Sequence, residues 1–261
     1  MRLKDRVALV TGAGSGIGKQ TALLMAAEGA GVGVLSRTAE EIEETVDEIR
    51  AAGGKAVGVR ADVSHPAEMR AAIDEVANAL GRLDIVFANA GVNGVWAPIE
   101  ELSAEEWDET MAINLRGTFL TLKYAVPYLK KRGGSIIVNS SINGTRVFSN
   151  TGATAYAATK AAQVAMVKML ALELAPHGIR VNAVCPGAIE TQIEENTEKR
   201  DTERLGIPVE FPVGWHPLGG KPGKAEEVAR VVVFLASDEA SRMTGTEMWI
   251  DGGESLIGIN G

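Results

Sequence analysis

Short apolar runs alternate along the whole chain with longer segments in which an apolar residue recurs every three or four positions. The short runs are rich in Val and Ile and end at turn residues, which is typical of buried strands. The longer segments, such as the one carrying Ile42, Val46 and Ile49, show the stripe of a helix that covers a core. Strands are predicted over 7–10, 31–35, 57–59, 84–88, 135–139, 180–184 and 246–250, and helices over 66–80, from 156 to about 175, and over 225–236. This alternation predicts an α/β fold, a doubly wound parallel β-sheet with helices on both faces.

Two further helices are predicted from their start signals. Thr38 with Glu41, and Ser103 with Glu106, have the spacing of capping boxes. The helix that begins after Ser103 contains a polar Asn114 close to a glycine, which predicts a local distortion there. A helix–helix packing site is the alternative interpretation of Asn114.

The composition fits one folded domain that spans residues 1–261. Hydrophobic residues make up 46% and charged residues 23%, close to the averages of soluble globular proteins. The segment from about 192 to 223 breaks the pattern, since it is first strongly charged and then rich in Pro, Gly, Phe and Trp. Long irregular segments in compact domains are usually functional or mobile. We therefore expect a substrate lid here, with a plain insertion as the alternative.

Charge, cysteine and histidine content argue against several classes of function. The formal net charge is −8 and no extended basic cluster occurs, so nucleic acid is not expected as a partner. No apolar stretch approaches the roughly 18 residues of a membrane-spanning helix, so no membrane association is expected. The single cysteine, Cys185, rules out an intrachain disulfide and fits a cytoplasmic location. The three histidines show no metal-ligand spacing, so no metal is expected.

A glycine-rich turn follows the first predicted strand and leads into a helix that ends near Gly29. Glycines allow the main chain to approach a pyrophosphate closely, and the helix N-terminus offers unpaired N–H groups with a favourable dipole. The strand–turn–helix context favours a dinucleotide-binding loop of a Rossmann-type domain, with a tight structural turn as the alternative. The candidate cofactor-binding residues of this loop are Gly12, Ser15, Gly16, Ile17 and Gly18.

Polar residues and glycines also follow other predicted strands at their carboxyl ends, the edge where open parallel sheets bind ligands. Asp62 comes after the third strand, and the sequence Asn89–Ala90–Gly91 after the fourth. The second strand is followed by Ser36 and Arg37, with no acid at its end. A carboxylate there would favour NAD, whereas a cation can hold a 2′-phosphate, so NADP is preferred. A solvated surface arginine is the alternative.

Tyr156 and Lys160 are four residues apart on a predicted helix, so the phenol and the ammonium lie one turn apart on the same face. A free tyrosine has a pKa near ~10, and a fixed cation nearby is expected to lower it toward the range useful for proton transfer. A chance pair on the helix surface is the alternative. The helix that follows is apolar nearly all round, which predicts burial on every side.

Together these residues resemble the short-chain dehydrogenase/reductase family, in particular its 3-oxoacyl-[acyl-carrier-protein] reductase-like subgroup, over essentially the whole chain. The matching segments are Thr11–Gly18, Asn89–Gly91, Asn114, Ser141, Tyr156 with Lys160, Pro186–Gly187 and Asp251–Gly253. The resemblance implies Tyr156 as general acid/base, Lys160 as its electrostatic partner and ribose ligand, Ser141 as donor to the substrate oxygen and Asn114 as part of a proton relay. It also implies that Ile189 and Thr191 flank the nicotinamide, and that Asp62 and Val63 lie by the adenine.

The implied activity is hydride transfer between NADP(H), or NAD(H), and a small-molecule carbonyl or secondary alcohol, in a homotetramer. Oxoacyl thioesters, sugars, polyols and hydroxysteroids all remain open as substrates, and a non-catalytic dinucleotide-sensing module is the alternative from another class. The loop between Ser141 and Tyr156 is two residues longer than is usual in the family, which leaves Ser140 as an alternative donor. Trp96, Phe148, Phe211 and Trp215 are candidates for an apolar pocket wall, with packing under the lid as the alternative, and His216 is expected to pack under the lid.

Overall fold

The computed structural model of the protein describes residues 1–193, 197–206 and 216–257. Within these residues the strands are β1 (Val7–Thr11), β2 (Gly31–Ser36), β3 (Lys55–Arg60), β4 (Ile85–Ala88), β5 (Val95–Trp96), β6 (Gly134–Asn139), β7 (Ile179–Pro186), β8 (Ile189–Glu190), β9 (Glu198–Lys199), β10 (Gly223–Lys224) and β11 (Glu247–Ile250). The helices are α1 (Gly16–Ala27), α2 (Ala39–Ala51), α3 (Pro66–Leu80), α4 (Ala104–Met111), α5 (Gly117–Leu129), α6 (Thr154–Leu174) and α7 (Ala225–Ala236).

Seven parallel strands form the central sheet in the order β11-β7-β6-β4-β1-β2-β3. The chain starts at β1 in the interior of the sheet, builds outward to β3, and then returns to place β4 on the other side of β1. The order therefore reverses between β1 and β4, which is the switch point of a doubly wound sheet. The predicted fold class is confirmed.

Helices cover both faces of the sheet, and each face has its own apolar core. On one face α3, α5 and α6 pack through residues such as Ile73, Leu120 and Val167, which are nearly or fully buried. On the other face α1, α2 and α7 pack through residues such as Met25 and Val232. This double coverage explains why the strands read as continuous apolar runs rather than as alternating ones.

Of the two capping boxes predicted from the sequence, one is present in the structure and the other is not. The capping box at Ser103 is confirmed, since its hydroxyl accepts the Glu106 N–H and the Glu106 carboxylate accepts the Ser103 N–H. The box predicted at Thr38 is wrong: Thr38 makes no side-chain capping hydrogen bond, and Oε2 of Glu41 lies 3.4 Å from the Ser36 hydroxyl instead. A serine at the end of β2 competes for the same carboxylate.

The distortion predicted at Asn114 is present. A single π-helical turn spans Ala112–Arg116 and joins α4 to α5. In such a turn the main-chain hydrogen bonds shift by one residue, which frees main-chain groups for side-chain partners.

Part of the predicted lid lies outside the described residues. The described part is tied to the body of the protein by two small parallel ladders, one between β5 and β9 and one between β8 and β10. No helix of the described residues is long and apolar enough to cross a membrane.

Candidate active site

A cavity of about 990 Å³ opens at the carboxyl edge of the sheet, beside the switch point between β1 and β4. Most of the predicted site residues line it: Gly12, Ser15, Gly16, Ile17, Arg37, Asp62, Val63, Asn89, Ala90, Gly91, Ser141, Tyr156, Lys160, Pro186, Gly187, Ile189 and Thr191. Gly18 and Asn114 are not part of the lining. Both contact residues that do line the cavity: Gly18 packs against Gly12, and Asn114 forms hydrogen bonds with Val92.

The glycine-rich turn is shaped by close contacts that a side chain would prevent. A Cβ built on Gly18 would lie 2.0 Å from the carbonyl oxygen of Gly12, so this glycine lets α1 pack against the turn. Gly12 and Gly16 have positive φ angles of 64° and 52°. The side chain of Ser15, at the start of α1, makes no capping hydrogen bond. The first-turn N–H groups are therefore left to a ligand, which fits an anionic pyrophosphate.

Asn89 and Asn139 join the carboxyl ends of three strands. Nδ2 of Asn89 donates to the main-chain oxygens of Thr11 (3.0 Å) and Gly12 (3.3 Å). Oδ1 of Asn89 accepts a hydrogen bond of 2.9 Å from Nδ2 of Asn139. This network holds the glycine-rich turn in a fixed position relative to the end of β6, where Ser140 and Ser141 begin.

The edge formed by β2 and β3 carries both cations and carboxylates. Arg37 is 58% exposed and its guanidinium lies 4.0 Å from Asp62, while Nε of Arg60 donates to the Arg37 carbonyl. Partial burial raises the pKa of Asp62, but hydrogen bonds from Ser64 outweigh it and hold that pKa below its ordinary value. Glu41, which the sequence analysis missed, also lines the cavity. Because Glu41 has capping-box spacing from Thr38, the sequence pattern assigns it to the start of a helix and not to the cavity.

Tyr156, Ser141 and Lys160 meet on the floor of the cavity. Tyr156 and Lys160 are only 9% and 4% exposed. The Ser141 hydroxyl lies within hydrogen-bonding reach of the Tyr156 phenol. Nζ of Lys160 lies 5.4 Å from the centre of the Tyr156 ring and donates to the Asn139 carbonyl at 2.8 Å. The helical spacing of the sequence thus places the phenol and the amine side by side, as predicted.

Burial dominates the proton affinities of this pair. It raises the pKa of Tyr156, against a smaller opposing effect of the hydrogen bond from Ser141. It lowers the pKa of Lys160 from its ordinary 10.5 to about 8. The expectation that Lys160 lowers the pKa of Tyr156 is therefore wrong, because the phenol and the amine are both withdrawn from water, which favours the neutral form of each.

The two serines at the end of β6 differ in what their hydroxyls contact. The Ser140 hydroxyl donates to the main-chain oxygen of Lys160 at 2.9 Å and thereby holds the main chain of α6 at Lys160. The Ser141 hydroxyl accepts the Asn143 N–H at 3.1 Å, which leaves its proton for another acceptor. Of the two, Ser141 has the geometry of a donor into the cavity.

Asn114 forms hydrogen bonds with the neighbouring main chain and does not line the cavity. Its side chain accepts the Val92 N–H and donates to the Val92 oxygen, both at 2.8 Å, and also donates to the Thr159 hydroxyl at 3.2 Å. Its own carbonyl oxygen, freed by the π-helical turn, accepts from Thr118 (2.7 Å) and from Gln163 (2.9 Å). These last two partners were not predicted, because nothing in the local sequence pattern marks them.

The predicted apolar wall is only partly present. Trp96 lines the cavity, whereas Phe211 and Trp215 lie outside the described residues. The prediction for Phe148 is wrong: its side chain is 75% exposed and is not part of the lining. The loop between β6 and α6 is closed by a 3.0 Å hydrogen bond from the Asn150 side chain to the Asn143 side chain. These two amides line the cavity, and Phe148 lies outside it.

Other cavity residues were not singled out by the sequence. His216 was expected to pack under the lid, but it lines the cavity, as do Asn93 and Lys199. No cluster of side chains suited to a metal ion occurs in the described part of the chain. The arrangement therefore combines a nucleotide-sized groove, an anion-binding turn and one group of hydroxyl and amine side chains suited to moving a proton.

Comparison with known proteins agrees with this geometry. Residues 12–255 match the family described as enoyl-(acyl carrier protein) reductase. The solved structure of a 3-ketoacyl-ACP reductase from Sinorhizobium meliloti 1021 is 59% identical, with a TM-score of 0.94, over 97% of this chain and 100% of the other. A 3-oxoacyl-[acyl-carrier-protein] reductase of Thermotoga maritima is 41% identical over 97% of this chain and 99% of the relative. A cyclohexanol dehydrogenase of Acinetobacter sp. (strain SE19) is 40% identical, with 96% and 95% covered. The chain belongs to the short-chain dehydrogenase/reductase family, whose members are NAD(P)-dependent enzymes that act on alcohol and ketone groups.

Proposed function

We propose that the protein interconverts a small-molecule carbonyl and its secondary alcohol with NADP(H), and that Tyr156 is the general acid/base. The observation that carries the proposal is the meeting of the Tyr156 phenol, the Ser141 hydroxyl and the Lys160 amine on the floor of one cavity. A nicotinamide bound in this cavity would supply or accept the hydride. Everything else in the reaction falls to the side chains of this chain.

Each of these side chains has a distinct task. When a carbonyl is reduced, negative charge develops on its oxygen, and that oxygen must take up a proton. Tyr156 gives the proton from its hydroxyl, and Ser141 donates a hydrogen bond to the same oxygen as the charge develops. Lys160 is anchored at the Asn139 carbonyl and lies beside the phenol, where it stabilises the phenolate left after proton transfer. Asn114 positions the main chain at Val92.

The groove beside these groups fits a dinucleotide. The pyrophosphate would bind at the uncapped start of α1, and the adenosine would lie at the edge of β2 and β3. The residues proposed to hold the nucleotide are Gly12, Ser15, Gly16, Ile17, Gly18, Arg37, Asp62, Val63, Asn89, Ala90, Gly91, Pro186, Gly187, Ile189 and Thr191, together with Tyr156 and Lys160 at the ribose.

The preference for NADP(H) rests on the cations at the adenosine edge. Arg37 is exposed and Arg60 holds its carbonyl, so two guanidinium groups lie near the place of a 2′-phosphate. NAD(H) is the second candidate, favoured by Glu41, whose carboxylate lies at the same edge and could accept from a ribose hydroxyl. The ratio of kcat/KM with NADPH to that with NADH, measured for the parent and for Arg37→Leu, decides between them. A ratio above one that falls in the variant supports NADP(H); a ratio below one supports NAD(H).

The proposed role of Tyr156 is tested by Tyr156→Phe, with Tyr124→Phe as the matched control. General acid/base catalysis is worth roughly a hundredfold to ten-thousandfold in rate, so Tyr156→Phe should lose at least a hundredfold in kcat. Binding of the nucleotide, followed by its fluorescence, should change little in either variant. Cyclohexanone and acetoacetyl-coenzyme A serve as carbonyl probes at 340 nm. A Tyr156→Phe variant with near-parental turnover would refute the assignment, and nucleotide binding without turnover of any carbonyl by the parent would favour a sensor.

We also propose that the chain assembles into a homotetramer. Helix α6 leaves Met169 and Leu172 73% and 80% exposed, and α5 leaves Phe119 48% exposed. Large apolar side chains grouped on helix faces are typical of surfaces that pack against another copy of the chain. Sedimentation equilibrium should give four times the chain mass, and Leu172→Glu should lower that mass. A parent that sediments with the mass of one chain would contradict the proposal.

A further inference from the structure

We propose that the carbonyl substrate carries an anionic group, a carboxylate or a phosphate, and that Lys199 binds this group at the far end of the cavity from the nucleotide. This inference rests on the proposed function and adds the chemical class of the substrate to it. Lys199 lines the cavity and lies within the segment predicted as the lid, a short distance in sequence after Thr191.

A continuous series of contacts places Lys199 on the substrate side. It starts at the Ser141 hydroxyl, which accepts the Asn143 N–H (3.1 Å), and continues to the Asn150 side chain, which donates to Asn143 (3.0 Å). Two residues further on, the Gly152 oxygen accepts the N–H of the residue that follows Trp96, at 3.3 Å. The glycine-rich turn and Arg37 follow β1 and β2, whereas this series of contacts begins at the end of β6. We therefore assign an anion on Lys199 to the substrate and not to the nucleotide.

Lys199 is held in place by the small ladder between β5 and β9. Trp96 and Lys199 are directly paired in its register, and the Trp96 oxygen accepts the N–H of Arg200 at 2.8 Å. The ammonium of Lys199 lies 5.1 Å from the centre of the Trp96 ring, a distance at which a cation is attracted to an aromatic face. The ring itself is fixed, since its Nε1 donates to the Asn93 oxygen at 3.2 Å. The stem of Lys199 is thus directed along the cavity wall.

The arginines next to Lys199 are paired with carboxylates. The guanidinium of Arg200 contacts the Glu106 carboxylate, and that of Arg204 contacts Glu101 and Asp201. Among the described residues, no carboxylate lies within 4.0 Å of the Lys199 ammonium. A cation on the wall of a cavity, with its neighbours neutralised, is available to a ligand.

The carboxylates that line the cavity lie elsewhere. Glu41 is near Ser36 and Asp62 is held by Ser64, both at the adenosine edge. The Glu254 carboxylate accepts the Ala188 N–H at 3.0 Å, in the turn that follows β7. In the part of the cavity wall that the structure describes, the end beyond Ser141 therefore has a positive charge without a matching negative one. A substrate with an anionic group at that end would be favoured over a neutral analogue.

The decisive experiment compares an anionic ketone with a neutral analogue of it, 4-oxocyclohexanecarboxylate and its methyl ester, with acetoacetyl-coenzyme A as the phosphate-bearing probe. The proteins are the parent, Lys199→Met, Lys199→Arg and the control Lys221→Met, whose lysine lies in a neighbouring segment and does not line the cavity. The measurements are kcat/KM with NADPH, and calorimetric binding of each probe to protein saturated with NADP⁺. One exposed ion pair changes a binding constant by up to about fivefold.

We expect the parent to prefer the acid to its ester, and Lys199→Met to reduce that preference by about fivefold, with Lys199→Arg retaining most of it. The preference should also fall as sodium chloride is raised. A loss seen with acetoacetyl-coenzyme A and not with the small acid would identify a phosphate as the bound group, and the reverse loss a carboxylate. An unchanged preference for both anionic probes in Lys199→Met, or an equal loss in Lys221→Met, would overturn the inference. If the parent reduces no probe, the proposed function fails, while the calorimetric comparison still decides whether Lys199 binds anions.

Discussion

Lys160 should make the stability of the protein depend on pH, and replacing it with methionine should remove that dependence. Burial lowers its pKa from 10.5 to about 8 in the folded protein. Between these two pH values the unfolded chain binds a proton that the folded chain lacks, so the free energy of unfolding rises with pH. Well below pH 8 the lysine is protonated in both states, and the cost of burying its charge lowers the free energy of unfolding in full.

The magnitude follows from the two pKa values. A shift from 10.5 to about 8 corresponds to roughly 3 kcal/mol, most of which is recovered between pH 7 and pH 10. The parent should therefore gain about 2–3 kcal/mol relative to Lys160→Met over this interval. The lost hydrogen bond to the Asn139 carbonyl lowers the stability of the variant, but by a similar amount at both pH values, so it cancels from the comparison.

Urea denaturation of the protein without nucleotide, at pH 7 and at pH 10, measures this quantity. Lys123→Met, which removes an exposed lysine, is the control and should follow the parent at both pH values. The reasoning would be refuted if the difference in unfolding free energy between parent and Lys160→Met were the same at both pH values. It would also be refuted if Lys123→Met reproduced the change.

Two further substitutions test the parts of the fold that position the site. Gly18→Ala should weaken nucleotide binding by at least tenfold and lower the free energy of unfolding by roughly 1–3 kcal/mol. The reason is that its Cβ would lie 2.0 Å from the Gly12 oxygen and 2.6 Å from Nδ2 of Asn89. Parental affinity in a fluorescence titration would contradict this. Asp84→Ala should lower the free energy of unfolding in urea by roughly 3–5 kcal/mol, because the fully buried carboxylate binds Arg82 at two atoms and accepts the first N–H of β1; a loss below about 1 kcal/mol would show that the pair is not needed.

Local sequence patterns predicted the parts of the fold that local physics decides. Helix α7 begins and ends at the predicted residues, and α3 does as well. Strand β7 was predicted as 180–184 and extends over Ile179–Pro186, because the apolar run underestimates a strand that continues into a proline. The edge of the sheet that carries the cavity was also predictable, since parallel strands direct all their carboxyl ends to one side.

Contacts between distant segments were not predictable from the sequence. The ladder of β5 with β9 joins residues about a hundred positions apart, and strands of two residues have no periodicity to detect. The same limit applies to Glu41, whose spacing from Thr38 predicts a capping box although its carboxylate lies beside Ser36. Lys199 was missed for this reason too, since its position on the cavity wall depends on pairing with Trp96.

The proton affinities of Tyr156 and Lys160 illustrate the same limit with a functional consequence. Their spacing is a local property and was predicted, whereas their burial depends on the closure of β6, β7 and α6 around them. Because burial raises the pKa of Tyr156, the phenol keeps its proton throughout the neutral range. A protonated phenol is the form that a reductase needs, since it must give a proton to the developing alkoxide. Oxidation of an alcohol needs the phenolate instead, whose fraction rises with pH while the protonated phenol remains the main form. We therefore expect the oxidative rate to rise from pH 6 to pH 10 while the reductive rate stays level. Initial rates in both directions over this range would show the difference, and parallel profiles would exclude Tyr156 as the group that transfers the proton.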